Sequence, residues 1–175
     1  MNTPDIQIRP FQAGDALAFR ELNEEWIALY FGIEEQDRVQ LGDPEGHILR
    51  PGGHIFMAVA NQEPVGCCAL IKAQPGVFEL AKMAVAGQYR GQGIGRKLLE
   101  YTIEQAKALG ANSLYLGSNT KLANAVHLYE SFGFRHLPLE KVAPSPYVRA
   151  NVFMELDLSV TAPPATDRSA SLQPA

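Results

Sequence analysis

Near the start of the chain the apolar positions change period once. Ile6 and Ile8 alternate with Gln7 and Arg9, the twofold rhythm of a short strand, which Pro10 closes at a sheet edge. From Ala13 to Tyr30 the apolar residues Leu17, Phe19, Leu22, Trp26, Ile27 and Leu29 recur mostly every three or four places. That spacing predicts an amphipathic helix, with Glu21, Glu24 and Glu25 among its polar positions. A second, weaker helix is expected through Glu34 to Leu41. Gly42 to Gly53 holds too many glycines and prolines for a regular element and reads as a loop. Ile55 to Ala60, Val65 to Lys72 and Val77 to Val85 then read as three strands. The turns Asn61-Gln62-Glu63 and Gln74-Pro75-Gly76 join them into an antiparallel meander.

The second half is helix-rich. Arg96 to Leu109 places Leu98, Leu99, Ile103 and Ala106 on one face, with Gly110 positioned as a C-terminal stop. Ser113 to Leu116 reads as a strand, Leu122 to Phe132 as a helix ending at Gly133, and Phe134 to Leu137 and Asn151 to Leu158 as two closing strands. A meander followed by β-α-β elements predicts one α/β (α+β) domain over residues 1–159. Residues 160–175 carry three prolines and almost no large apolar side chain, so burial cannot repay their ordering entropy; a disordered tail is expected.

Composition narrows the function classes. A formal charge of -4 argues against a general nucleic-acid binder, which needs a basic face to meet phosphate. No apolar run is long enough to span a bilayer, and Met1 to Pro10 lacks the basic-then-apolar pattern of a signal peptide. A cytoplasmic protein with no membrane partner is expected. Cys67 and Cys68 are neighbours on a strand, where adjacent side chains point to opposite faces. Such a pair forms neither a routine disulfide nor a chelate, and reads as two small core residues. His47, His54, His127 and His136 show no metal-ligand spacing, so no metal is expected.

The chemical signal is the glycine-rich turn between the third meander strand and the following helix, Gln88-Tyr89-Arg90-Gly91-Gln92-Gly93-Ile94-Gly95-Arg96. A helix N-terminus offers unpaired N–H groups and a positive dipole end, and glycines let an anion approach them. The P-loop reading fails because Gly95 is followed by Arg96-Lys97-Leu98, with no hydroxyl for magnesium. The dinucleotide fingerprint fails because its third glycine would fall on Arg96 or Leu98.

Arg90-x-x-Gly93-x-Gly95 resembles the (Gln/Arg)-x-x-Gly-x-(Gly/Ala) signature of the GNAT superfamily of acyltransferases. Met83-Ala84-Val85 at the end of the preceding strand, the length of the following helix, and Asn124 to Phe134, similar to a second family block, extend the resemblance over about Ile6 to Leu158. The resemblance implies a mixed, mostly antiparallel central sheet of about 6–7 strands flanked by about 4 helices. It also implies acetyl-CoA as co-substrate, with the pyrophosphate held by Arg90, Gly91, Gln92, Gly93, Ile94, Gly95 and Arg96. The backbone of Met83, Ala84 and Val85 would meet the pantetheine, with Asn124 and, more weakly, Asn119 nearby. Glu79 corresponds to the strand glutamate that serves as general base in some members, and Tyr129 to the tyrosine that acts as general acid. An N-acetyltransferase acting on a primary amine of a small molecule, amino acid or peptide is therefore expected. A non-catalytic acyl-CoA sensor and a transferase for a longer acyl group are the alternatives.

The family holds its acceptor with the first helix pair and the segment before the last strand. Here these supply Glu24, Glu25, Trp26, Tyr30, Phe31 and Glu34 on one side and Pro144 to Arg149 on the other. Carboxylates with aromatics suit an ammonium, and Arg149 could pair with an acceptor carboxylate. Lys82 reads two ways, paired with a carboxylate or exposed at a bulge. The edges of a small open sheet would suit a homodimer.

Overall fold

The computed structural model describes residues 4–159; the tail expected at 160–175 lies outside them. Seven strands form one sheet in the order β1-β2-β3-β4-β5-β7-β6. They are β1 (Ile6–Pro10), β2 (His54–Ala60), β3 (Glu63–Gln74), β4 (Val77–Val85), β5 (Ser113–Ser118), β6 (Arg135–His136) and β7 (Val152–Asp157). Every pairing is antiparallel except β4 with β5. The helices are α1 (Ala16–Tyr30), α2 (Glu35–Gly42), α3 (Ile94–Ala108) and α4 (Ala123–Ser131). This is the mixed, mostly antiparallel α/β architecture expected from the sequence.

Alternation along the meander builds a core on each face of the sheet. Phe56, Ala58, Cys68 and Leu70 pack with Leu98, Leu99 and Ile103 of α3 and Val126 of α4. Ile55, Met57, Cys67 and Ala69 pack with Phe19, Leu22 and Ile27 of α1. The adjacent cysteines thus lie on opposite faces, both fully buried. Gly66 marks where α3 presses closest: a Cβ there would sit 2.9 Å from Leu98 Cδ1 and 3.2 Å from the Ala84 carbonyl.

Two sequence expectations need correction. The stretch 42–53 is not wholly loop, because Glu45–Leu49 forms a helical turn that buries Ile48. Its glycines cluster instead at Gly52 and Gly53, where the chain turns into β2, with φ +106 at Gly52. The Arg96 helix begins two residues earlier, at Ile94, since Gly93 in the left-handed region is its N-cap.

Candidate active site

β4 and β5 are paired only at Val77–Ser113, Phe78–Leu114 and Glu79–Tyr115. Beyond that point they part, and a cleft of about 790 Å³ opens between them. Met83, Ala84 and Val85 line one side of it, and Gly117, Ser118 and Asn119 the other, with Asn124 and Tyr129 contributed by α4. Separated parallel strands leave backbone N–H and C=O groups unpaired, which an extended amide-containing ligand can satisfy.

At the end of β4 the glycine loop turns into α3. Gly91 and Gly93 have φ of +77 and +80, and no atom lies within 4 Å of where a Cβ would sit on either. No backbone carbonyl accepts from the N–H groups of Gly91, Gln92 or Gly93 among the described residues. The turn is therefore open and rich in free donors at the positive end of a fifteen-residue helix. Arg90 secures it: its Nε donates to the Val85 carbonyl at 3.0 Å, and its guanidinium lies 3.5 Å from Glu25. Arg96 leans on the end of α4, against Ser131 and 5.2 Å from the centre of the Phe132 ring.

Glu79 lies on the cleft surface of β4 beside Tyr115, its register partner on β5. No protein group hydrogen-bonds its carboxylate among the described residues. Partial burial raises its pKa above the ordinary carboxylate range, against the opposing charge of Lys82. Tyr129 is 8% exposed, packs 5.8 Å from Phe134, and has its pKa raised by burial. No protein group hydrogen-bonds its hydroxyl among the described residues, and the residue lines the cleft.

Between Glu79 and the loop, β4 carries one extra residue. Ala69 of β3 faces Ala81, but Cys67 faces Ala84, so three residues of β4 oppose two of β3. Lys82 takes up the bulge with φ +54, and the Cys67 thiol donates to its carbonyl at 3.3 Å. The insertion reverses the alternation. Phe78 and Leu80 belong to the core under α3, whereas Ala84 belongs to the core under α1. In unbroken register Lys82 would follow Leu80 into apolar packing. Instead its ammonium reaches Asp37 of α2 at 2.8 Å.

Asp37 is 0% exposed and accepts four hydrogen bonds: from Lys82, from both terminal nitrogens of Arg149, and from the Glu34 backbone N–H. Burial alone would push its pKa up. Hydrogen bonds from Arg149 and Lys82 outweigh that and hold it at about 2. Lys82 also donates to the Tyr147 hydroxyl at 2.9 Å, and that hydroxyl donates to Gln40 at 3.0 Å. Glu34 accepts from the Val148 N–H at 2.8 Å and from Arg149 at 3.2 Å. These bonds fasten the segment before β7 over the cleft.

Most of the residues singled out in the sequence converge here, with three departures. Trp26, Tyr30, Glu79, Met83, Ala84, Val85, Arg90, Asn119, Asn124, Tyr129 and Arg149 all line the cleft, and Gly91 to Arg96 form the turn beyond it. Glu24 does not line it; one turn of helix separates it from Arg20, to which it is paired at 2.8 Å. Arg149 is not free for an acceptor carboxylate, because Asp37 and Glu34 already fill its fork. Asn119 is similarly occupied, donating to the Arg149 carbonyl at 2.6 Å and accepting from the Lys121 N–H at 2.8 Å. Asp37 and Gln40 were not singled out as site residues, and Tyr147 entered only within the Pro144 to Arg149 segment. The faint signal for Asp37 is its place three residues after Glu34, where the two form a reciprocal cap on α2.

The Acetyltransferase (GNAT) family model matches residues 18–134, about two thirds of the chain. The chain belongs to the GNAT family, and it is an acetyltransferase. This GNAT enzyme is 29% identical over 121 residues to the uncharacterized N-acetyltransferase YvbK of Bacillus subtilis, covering 65% of this chain and 78% of that protein. A GNAT acetyltransferase structure from Staphylococcus aureus Mu50 superposes with a TM-score of 0.80 at 27% identity, covering 88% of this chain and 99% of that one. A Bacillus subtilis acetyltransferase crystallised in complex with CoA shares the fold, with a TM-score of 0.66 at 22% identity and the same coverage. No helix among the described residues is long and apolar enough to cross a membrane.

Proposed function

We propose that this GNAT enzyme transfers acetyl from acetyl-CoA to a primary amine of a small molecule, amino acid or peptide by direct attack in a ternary complex. The observation that carries the reading is Glu79: an unpartnered carboxylate with a raised pKa, facing the same cleft as the Tyr129 hydroxyl. Acetyl-CoA supplies the activated thioester. The open glycine turn fits its pyrophosphate, and the freed strand edge at Met83 to Val85 fits its pantetheine amides.

An ammonium is not a nucleophile, so a proton must leave before the nitrogen attacks. Glu79 is the group in reach of the acceptor side that can take it, and its raised pKa brings it nearer to working pH. The departing thiolate needs a proton in return, and the Tyr129 phenol holds one firmly at neutral pH because burial disfavours the phenolate. Neither step asks for a protein nucleophile. Cys67 and Cys68 suit none, since burial pushes both thiols up, Cys68 to about 12.

The test is thiol release from acetyl-CoA with a panel of amino acids, polyamines and short peptides, on wild type, Glu79→Gln and Tyr129→Phe. Amine-dependent release that falls by about 10²-fold or more in each variant is expected. Wild-type rates in Glu79→Gln would remove the base from this reading. Repeating the panel with succinyl-CoA decides whether a longer acyl group is preferred.

A further inference from the structure

Outside the groups assigned to chemistry, the most heavily bonded feature of the molecule is the carboxylate of Asp37. It joins three parts of the chain that are far apart in sequence. Its own helix is α2, Lys82 comes from the β4 bulge, and Arg149 comes from the segment that runs from β6 to β7. Between these two cations stands Tyr147. Lys82 donates to its hydroxyl at 2.9 Å, and the Arg149 guanidinium lies 4.5 Å from its ring centre. Lys82, Tyr147 and Arg149 line the cleft with Glu79, while Asp37 stands behind them.

Within the second half of the chain, the segment 137–151 is held by the Leu137 N–H donating to the Phe153 carbonyl, by Asn151 against Ser118 and Thr120, and by Asn119 donating to the Arg149 carbonyl. Apart from one 3-10 turn it contains no regular secondary structure, and Val148 is 95% exposed. Its tethers to the first half of the chain are the bonds to Glu34, Asp37, Gln40 and Lys82. Glu34 is itself ordered by Asp37 through the reciprocal cap on α2. Asp37 is thus the carboxylate on which Lys82 and Arg149 converge, while Gln40 and Glu34 add their own bonds to Tyr147 and Val148.

We propose that Asp37 is a positioning residue for the amine acceptor: through Lys82 and Arg149 it holds Tyr147 and the 142–150 segment at a fixed distance from Glu79. This rests on the reading that the amine enters on the Glu79 side of the cleft. Asp37 touches no reacting atom. The CoA side, built from β4, the glycine turn and α4, meets Asp37 among the described residues only through Lys82 at the β4 bulge.

The experiment measures, for Asp37→Asn and Tyr147→Phe, the acceptor KM, kcat, the rank order of amines, the melting temperature and acetyl-CoA affinity by calorimetry. Asp37→Glu serves as the conservative variant. Misplacement of a binding group by about 1 Å costs on the order of 10²-fold. A rise of about tenfold or more in acceptor KM is thus expected for Asp37→Asn, a smaller rise for Tyr147→Phe, and partial recovery in Asp37→Glu. Acetyl-CoA affinity should stay within about twofold, and the rank order of amines should change. An unchanged acceptor KM in a folded Asp37→Asn protein overturns the proposal, as does an equal loss of acceptor and acetyl-CoA binding. If Asp37→Asn does not fold, Tyr147→Phe decides by the same split. Glu79→Gln is run beside them. Undiminished turnover there removes Glu79 as base without touching the Asp37 comparison, whereas an intact Glu79 effect with no acceptor split removes only the role given to Asp37.

Discussion

Replacing Asp37 by Asn keeps the shape of the side chain and removes the charge that faces two buried cations. The side chains of Lys82 and Arg149 are 4% and 14% exposed, so water cannot take over the role of the lost carboxylate. Breaking a buried ion pair from one side costs about 3–5 kcal/mol, and for a domain of this size each kcal/mol lowers Tm by about 2–4 °C. A drop of about 6–20 °C near neutral pH follows. The pH dependence is sharper still. The folded-state pKa of Asp37 is depressed from its ordinary 3.8 to about 2, so its contribution is complete above about pH 4 and fades as pH falls through 2. At about 1.4 kcal/mol per pKa unit, this titration accounts for about 2 kcal/mol of the difference. Thermal melts followed by circular dichroism from about pH 7 down to about pH 2.5 should show the gap between wild type and variant narrowing at the acid end. A gap that is constant across that range, or smaller than about 2 °C throughout, would refute the reasoning.

Other perturbations have equally definite outcomes. The acid limb of kcat/KM for the amine should lie above the ordinary carboxylate range, because Glu79 must be ionised to accept a proton and burial raises its pKa; the limb should vanish in Glu79→Gln. Gly93→Ala meets no neighbour but must hold φ at +80, a strain of about 1–2 kcal/mol. It should lower Tm by a few degrees and weaken acetyl-CoA binding more than amine KM. Gly66→Ala has the opposite character, crowding Leu98 and the Ala84 carbonyl, and should cost about 1–3 kcal/mol in a urea titration. Neither cysteine should react with a thiol reagent until the protein unfolds, since both are 0% exposed and burial raises both thiols.

The side of the cleft proposed for CoA is legible in the sequence because it is local. Arg90, Gly93 and Gly95 stand within one turn of chain, and Met83 to Val85 immediately precede them, so spacing along the sequence is spacing in the molecule. Glu79 and Tyr129 could be named through the same neighbourhood. The side proposed for the acceptor is assembled across the chain. Nothing near Asp37 indicates that Arg149, 112 residues away, will occupy it, and an acidic residue in the first turn of a helix has the ordinary reading of a dipole partner. For Glu24 the acidity is visible in the sequence, whereas its pairing with Arg20 one helix turn away, outside the cleft lining, is a matter of geometry. Of the two readings of Lys82, the structure takes the paired one and overturns exposure. Lys82 sits at a bulge, and because of the bulge it is buried and paired.

The sequence distance between Asp37 and Arg149 also bears on how the molecule assembles. Contacts between strands β2, β3 and β4 close short loops and can form early, whereas the Asp37–Arg149 contact must bring together residues 112 positions apart at a much larger loss of chain entropy. On this ground the 137–151 wall is expected to form after the β2–β4 meander. The family match stops at Phe134, before Tyr147 and Arg149 are reached. The bonds that close this wall over the cleft thus come from chain beyond that match and reach back 107 residues to Gln40 and 112 to Asp37.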